Sequence, residues 1–395
     1  MTLPKLGYYL RPIATSATIK NTVPAEPTEG HFPGFSASGQ DVWVPYFDYN
    51  GPAIILSAVG AQCGKTFIAN GKWGAVANTT GLAVDRNKSD TGFFWYMTNL
   101  PDFWEKGGSA QPYVKVSETL RKRVSIPDLP TQRAIADFLD RETARIDLLI
   151  EKKQRLVALL EEKFLEQQRS LFYGNRYQSD SNTYLSRLNP DWAISKNARH
   201  FKIRMGETIL SDSVSESGRY PVYSATETDI IFGYVEKTNA LLKHGDLVIP
   251  ARGNSIGHVK YMTQPSTSTQ TTIQMSLFDE ALDSEYVFCW IKAFKQHLFP
   301  FDRTAIPQIT TEQVGRNPLP LAPNEDQRRI VSEFNRLADQ EQMLLAPTIK
   351  SIDRLKEYRS ALITAAVTGQ VDVGEWDMAG TNERRLDALD GRVSA

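Results

Sequence analysis

Cysteine is nearly missing from this chain. In 395 residues only Cys63 and Cys289 occur, and their separation excludes both a disulfide framework and a cysteine-based metal site. Long apolar runs are missing as well: nothing approaches the ~18 consecutive residues that a membrane-spanning helix requires, and the mean hydropathy is −0.36. A membrane span is therefore not expected. The opening Met1-Thr2-Leu3-Pro4 has no basic stretch followed by an apolar segment, so no secretory signal is read and a cytoplasmic location is the default. Neither sign of charge dominates, since 45 Lys and Arg against 46 Asp and Glu leave a net charge of −1. The sorting along the chain is weak: 1–126 carries 12 basic and 9 acidic side chains, 322–395 carries 10 and 13.

Catalytic motifs are also lacking. Gly60-Ala61-Gln62-Cys63-Gly64-Lys65-Thr66 approaches a phosphate-binding loop but has one residue too few between its glycines. The Asn-Pro-Pro-Tyr type of loop that amino-methyltransferases use is met only by Asn189-Pro190-Asp191-Trp192 and Asn317-Pro318-Leu319-Pro320, both wrong after the first proline. Five scattered histidines offer no zinc spacing, and no Ser/His/Asp or Cys/His set can be proposed from motif context.

What is present is an internal repeat of about 195 residues. QRAIADFLDR at 132–141 realigns with QRRIVSEFNR at 327–336, and the register holds for over forty residues. Upstream, Trp95 falls on Trp290, the Gly60-x-x-x-Gly64 turn on Gly253-x-x-x-Gly257, and Asn78-Thr79-Thr80 on Gln270-Thr271-Thr272. Each copy opens with a Gly-, Pro- and aromatic-rich part carrying short strand-like runs and closes with a helical part. In 131–173, Ile135, Leu139, Ile146, Leu149, Leu156, Leu160, Phe164 and Leu171 recur at helical spacing. At ~1.5 Å per residue such a helix is ~60 Å long. The second copy repeats the stripe but contains Pro347, which predicts a kink or a fresh start there.

The fold expected is of the α+β class: two mixed α/β globules joined by two long helices that pair as an antiparallel coiled coil, with a pseudo-two-fold internal repeat. The segments are 1–126, a first globule; 127–174, a first helix; 175–321, a second globule; 322–372, a second helix; and 373–395, a tail. Long amphipathic helices more often serve simply as bundle elements, but two globules in repeat suit a partner with two separated sites, and DNA read at two half-sites is the obvious one.

Base reading needs Arg, Lys, Asn or Gln on loops. The candidates are Gln62, Lys65, Lys72, Asn78, Gln111 and Lys115 in the first copy. In the second they are Arg252, Asn254, Lys260, Gln270, Arg303 and Gln308. Any one of them could equally be a solvated surface side chain. Trp95 and Trp290 sit in apolar runs and read as core.

The stretch Leu129 to Asp147, LPTQRAIADFLDRETARID, resembles the helix entry of the specificity subunits of type I restriction-modification systems. Ser360 to Asp372, SALITAAVTGQVD, resembles their C-terminal helix end, and Ser57-Ala58-x-Gly60-x-x-x-Gly64-Lys65 and Pro190-x-Trp192 resemble their target recognition domains. The first globule departs in lacking the Pro-x-Trp-like opening. The resemblance implies two target recognition domains, each reading half of a bipartite DNA site, with helix length setting the unread spacer. It implies no catalytic centre and no cofactor in this chain: S-adenosylmethionine, ATP and Mg belong to partners, namely two methyltransferase (modification) subunits and, through them, restriction subunits. Gln132, Arg133 and Ile135, with Gln327, Arg328 and Ile330, match the helix-entry motif and are assigned to docking of the globules and of the methyltransferase subunits. Two other readings stand beside this one, a protein-binding coiled-coil scaffold and a stand-alone DNA-modifying enzyme.

Overall fold

The computed structural model describes residues 3–15, 20–174, 184–300 and 307–374. They form two compact units, one made of 1–153 with the chain from 350 onward, the other of 154–349. The first unit contains β1 (Leu10–Ile13), β2 (Phe32–Ser36), β3 (Gly39–Val44), β4 (Tyr49–Asn50), β5 (Ala53–Ser57), β6 (Thr66–Ala69), β7 (Lys72–Ala75) and β8 (Thr79–Val84). After these come α1 (Thr91–Thr98), β9 (Lys106–Gly107), β10 (Tyr113–Val114) and α2 (Val116–Arg121). An antiparallel sheet of order β1-β8-β5-β6 lies against a second of order β3-β2-β7-β4, in which β2 and β7 run parallel.

The run Ala53-Ile54-Ile55-Leu56 is apolar without alternation because β5 is buried on both faces. Successive side chains point to opposite sides: Ile54 and Leu56 enter the core beneath α1, while Ala53 and Ile55 meet Phe35 and Trp73 of the second sheet. Burial of each large aliphatic side chain contributes roughly 1.5–3 kcal/mol. The missing Pro-x-Trp opening has a structural counterpart: Lys5 makes only an isolated bridge to Arg123, and the first regular strand is β1.

The second unit contains β11 (Ala193–Lys196), β12 (Phe201–Met205), β13 (Tyr220–Tyr223), β14 (Gly233–Val235), β15 (Leu247–Pro250), β16 (Lys260–Tyr261), β17 (Thr267–Ser268) and β18 (Thr272–Leu277). Then follow α4 (Ser284–Leu298), α5 (Thr311–Arg316) and β19 (Pro318–Leu321). The sheet β12-β18-β15-β16 repeats β1-β8-β5-β6, and β14-β13-β17 repeats the second sheet with its parallel pair. The shared framework runs at an offset of 193 residues from the central strands through the start of α1 and α4, and at 195 from Pro112 and Pro307 onward, through α2 and α5 into the long helices. Asp90 and Asp283 cap α1 and α4 by accepting from Phe93 N and Glu285 N. This register sets Trp95 opposite Phe288 rather than Trp290, and Asn78 opposite Thr271 rather than Gln270. Trp290 is fully buried, whereas Trp95 is half-buried with its indole N–H donated to the Thr66 carbonyl at 3.0 Å.

Both long helices are continuous: α3 (Leu129–Ser170) and α6 (Asn324–Val367). Within the first unit the early turns of α3 lie beside the late turns of α6. Ile135, Phe138, Leu139 and Ile146 share one core with Leu362 and Ala366, and Arg359 clasps the Asp147 carboxylate with two bonds of 2.8 and 3.0 Å. Within the second unit Phe172, just past the end of α3, shares a core with Ile330 and Phe334 of the early turns of α6. Early-with-late pairing is the antiparallel arrangement of the expected coiled coil. Pro347 neither ends nor restarts α6. The carbonyl that its missing N–H strands is that of Met343, itself 75% exposed, where water can replace the lost bond, and Thr348 Oγ1 donates to the neighbouring Leu344 carbonyl at 2.9 Å.

Candidate nucleic-acid interface

The two glycine turns share one backbone scaffold. Gly60 N donates to Pro112 O (2.9 Å) and Gly64 N to Ser57 O (2.9 Å), just as Gly253 N donates to Pro307 O (3.0 Å) and Gly257 N to Pro250 O (3.3 Å). All four glycines have positive φ, 95° and 96° in the first turn, 73° and 75° in the second, a conformation that costs residues bearing Cβ about 1–2 kcal/mol. Cys63 N and Lys65 N are also satisfied within the turn, by Gly60 O and Gln62 O. These four amides are already spent in holding the connection between β5 and β6.

The scaffold presents side chains. Gln62 and Lys65 emerge exposed from the first turn and Arg252 and Asn254 from the second. The neighbouring segments add to each cluster. Asn78, exposed and at φ 70°, accepts at its carbonyl from Ala58 N; Gln111 is exposed just before Pro112. In the second globule Gln308 is exposed and bridges to Arg252, and Gln270 is exposed beside Thr271, whose carbonyl accepts from Ala251 N. Eight candidates are thus gathered about two equivalent turns.

Three others lie elsewhere. Lys72 is exposed with its ammonium over the rings of Phe47 (4.9 Å) and Phe32 (5.6 Å). Lys115 is partly buried and paired with Glu118 at 3.3 Å. Lys260 is no surface residue: it is 1% exposed, its ammonium bonded to the Thr226 hydroxyl and the Thr228 carbonyl and set 3.5 Å from Asp229. Arg303 falls outside the described residues, as does the tail from 375. Nothing in the sequence singles out the loop 224–232, which Ser255 ties to the second turn by donating to Ala225 O at 3.0 Å.

The helix-entry residues divide by burial. Gln132 and Gln327 are each 1% exposed and bond their own globule, and Ile135 and Ile330 are core. Arg133 and Arg328 face outward.

The structure also brings together a trio that motif context did not reveal. His200 Nδ1 lies 2.6 Å from Asp279 Oδ2, and its Nε2 lies 2.7 Å from Ser195 Oγ. Ser195 is 8% and His200 9% exposed, so the hydroxyl is enclosed rather than presented to a substrate. The trio fastens β11 to the turn after β18. The Asp279 carboxyl is held below its usual range, chiefly by the Ala281 N–H and then by His200. Among the described residues no group of three or more His, Cys, Asp or Glu is placed to hold a metal, and no helix is long and apolar enough to cross a membrane.

Residues 45–158 and 189–351 match the family described as Type I restriction modification DNA specificity domain. No curated protein matches the chain. Among solved structures, a chain of a type I restriction-modification system studied for complex assembly and conformational transition is similar over 93% of this chain and 99% of its own, at 14% identity and a TM-score of 0.68. That likeness concerns the fold. The S subunit of a type I system from M. genitalium, 17% identical over 92% of this chain and 95% of its own, reaches a TM-score of 0.41. The HsdS subunit from Thermoanaerobacter tengcongensis, 15% identical over 93% and 96%, reaches 0.48.

Proposed function

Since the chain belongs to the type I restriction modification DNA specificity family and carries two such domains, we propose that each globule of this DNA sequence-specificity subunit reads one half of a bipartite target. The observation that carries this reading is the repeated turn, one backbone scaffold holding different side chains. Arg can bond guanine and Asn adenine through paired contacts in the major groove, whereas Lys favours guanine and Gln adenine. Gln62 and Lys65 with Asn78 and Gln111 would meet the first half-site. Arg252 and Asn254 with Gln270 and Gln308 would meet the second.

The helices set the unread spacer and dock two methyltransferase subunits, with Arg133 and Arg328 as the exposed contacts of the helix entries. Restriction subunits join through these partners. Methyl transfer, and with it S-adenosylmethionine, ATP and Mg, is assigned to the partners, in the cytoplasm. The enclosed Ser195 hydroxyl favours a fastening role for its trio over hydrolysis.

Mapping methylated bases in DNA from cells that carry this chain with its modification partners tests the reading. A two-part motif with a fixed gap is expected. A continuous motif, or methylation unaffected by deleting this chain, would overturn it.

A further inference from the structure

The second globule departs from the first at one hairpin. Two residues, Ala37 and Ser38, join β2 to β3, whereas residues 224–232 join β13 to β14. Under the short hairpin lies Phe67, paired with Ile55 in the sheet, its ring 3.2 Å from where a side chain on Gly39 would begin. The equivalent pair in the second globule is Val248 with Lys260: Ile55 faces Gly81 and Val248 faces Gln274, matched positions of the central strands. An apolar ring beneath a tight turn has been replaced by an ammonium beneath a long loop.

Burying an ammonium is unfavourable unless it is paired and hydrogen-bonded, and Lys260 finds all its partners in that loop. It bonds the Thr228 carbonyl and the Thr226 hydroxyl and lies 3.5 Å from Asp229. His258, just past the glycine turn, stands 3.4 Å from the same carboxylate, and Ser255 bonds Ala225 O. The carboxyl of Asp229 is held low, first by His258 and also by Lys260. Beyond these ties the loop faces outward: Glu227 is exposed, Ile230 is 68% and Phe232 55% exposed.

We propose that Lys260 is a positioning residue that holds the loop 224–232 beside Arg252 and Asn254, so that Glu227 and Ile230 read bases of the second half-site. A carboxylate accepts from the cytosine amino group and an aliphatic side chain packs on the thymine methyl. The inference rests on the half-site reading above.

The test selects bound duplexes from a randomised library, using the full chain assembled with its modification subunits. Wild type, Lys260→Met, Glu227→Gln and Ile230→Ala are compared, with thermal unfolding of each. Lys260→Met is expected to lose preference about tenfold or more at one or more base pairs of the second half, with the first half and the gap unchanged. A merely structural role would lower the unfolding midpoint and blunt every base pair of the second half alike. Glu227→Gln and Ile230→Ala touch no core, so they decide the matter should Lys260→Met fail to fold, and each is expected to alter only the second half. An unchanged second half in these two and in any folded Lys260→Met overturns the inference while leaving the half-site reading intact. A wild-type pool without a two-part motif overturns that reading, and the inference with it.

Discussion

Gln132 and Gln327 hold the same station in the two repeats. Each side-chain oxygen accepts from the backbone N–H of the aspartate that caps its globule's core helix, Asp90 at 2.8 Å and Asp283 at 2.7 Å. Each amide nitrogen donates to two carbonyls, those of Lys88 and Pro127 in one case and Ala281 and Ala322 in the other. A single side chain thereby fastens the start of a long helix to the start of a core helix. Gln132→Ala or Gln327→Ala strands these groups, and each is expected to cost about 1–3 kcal/mol in urea unfolding. Arg133→Ala and Arg328→Ala should leave unfolding within about 0.5 kcal/mol and weaken association with the modification subunits instead.

The glycine turns offer a contrast within one motif. A Cβ on Gly257 would meet the Phe299 ring at 2.5 Å, while one on Gly253 would meet nothing within 4 Å. Gly253→Ala is expected to cost about 1–2 kcal/mol from backbone conformation alone. Gly257→Ala carries the same strain plus an overlap, adding about 1–3 kcal/mol, measurable as a lower unfolding midpoint.

Helix α6 should gain from losing its proline. In Pro347→Ala the Met343 carbonyl recovers its partner, and stability is expected to rise by up to ~3 kcal/mol. A fall in Tm would show that neighbouring turns depend on the proline.

Tyr96 gives a pH signature. Its hydroxyl bonds Asp140 (2.8 Å) and Thr143 (3.1 Å), and burial first, then Asp140, pushes its pKa up to about 12. The folded state thus holds this proton more tightly than the unfolded state. The resulting stability is complete below pH 10 and is lost as pH rises toward 12. Tyr96→Phe is expected to flatten that part of the decline, seen as a smaller difference between midpoints at pH 9.5 and 11.5.

The long helices and the repeat were legible because a 3.6-residue period sustained over forty positions leaves little else for the chain to do. The glycine turn was legible because only a strained backbone needs paired glycines at that spacing. Lys260 was not: its burial depends on Thr226, Thr228 and Asp229, on a loop whose length no local pattern signals. The meeting of Ser195 and His200 with Asp279 depends likewise on strands bringing together distant positions. Pro347 misled because a helix-breaking residue is judged by its own chemistry, whereas its consequence depends on whether solvent reaches the carbonyl it strands.

The composition of the two units bears on the order in which the chain can finish folding. Residues 154–349 are one uninterrupted stretch, so all of that unit has been synthesised before the last turns of α6 leave the ribosome. The first globule is made earlier yet is completed later, because Leu362 and Ala366 close the same core as Leu10, Phe93 and Ile135. Until those turns emerge, the side chains that await them remain uncovered. The portion of the chain translated first is thus the portion most in need of protection while translation continues.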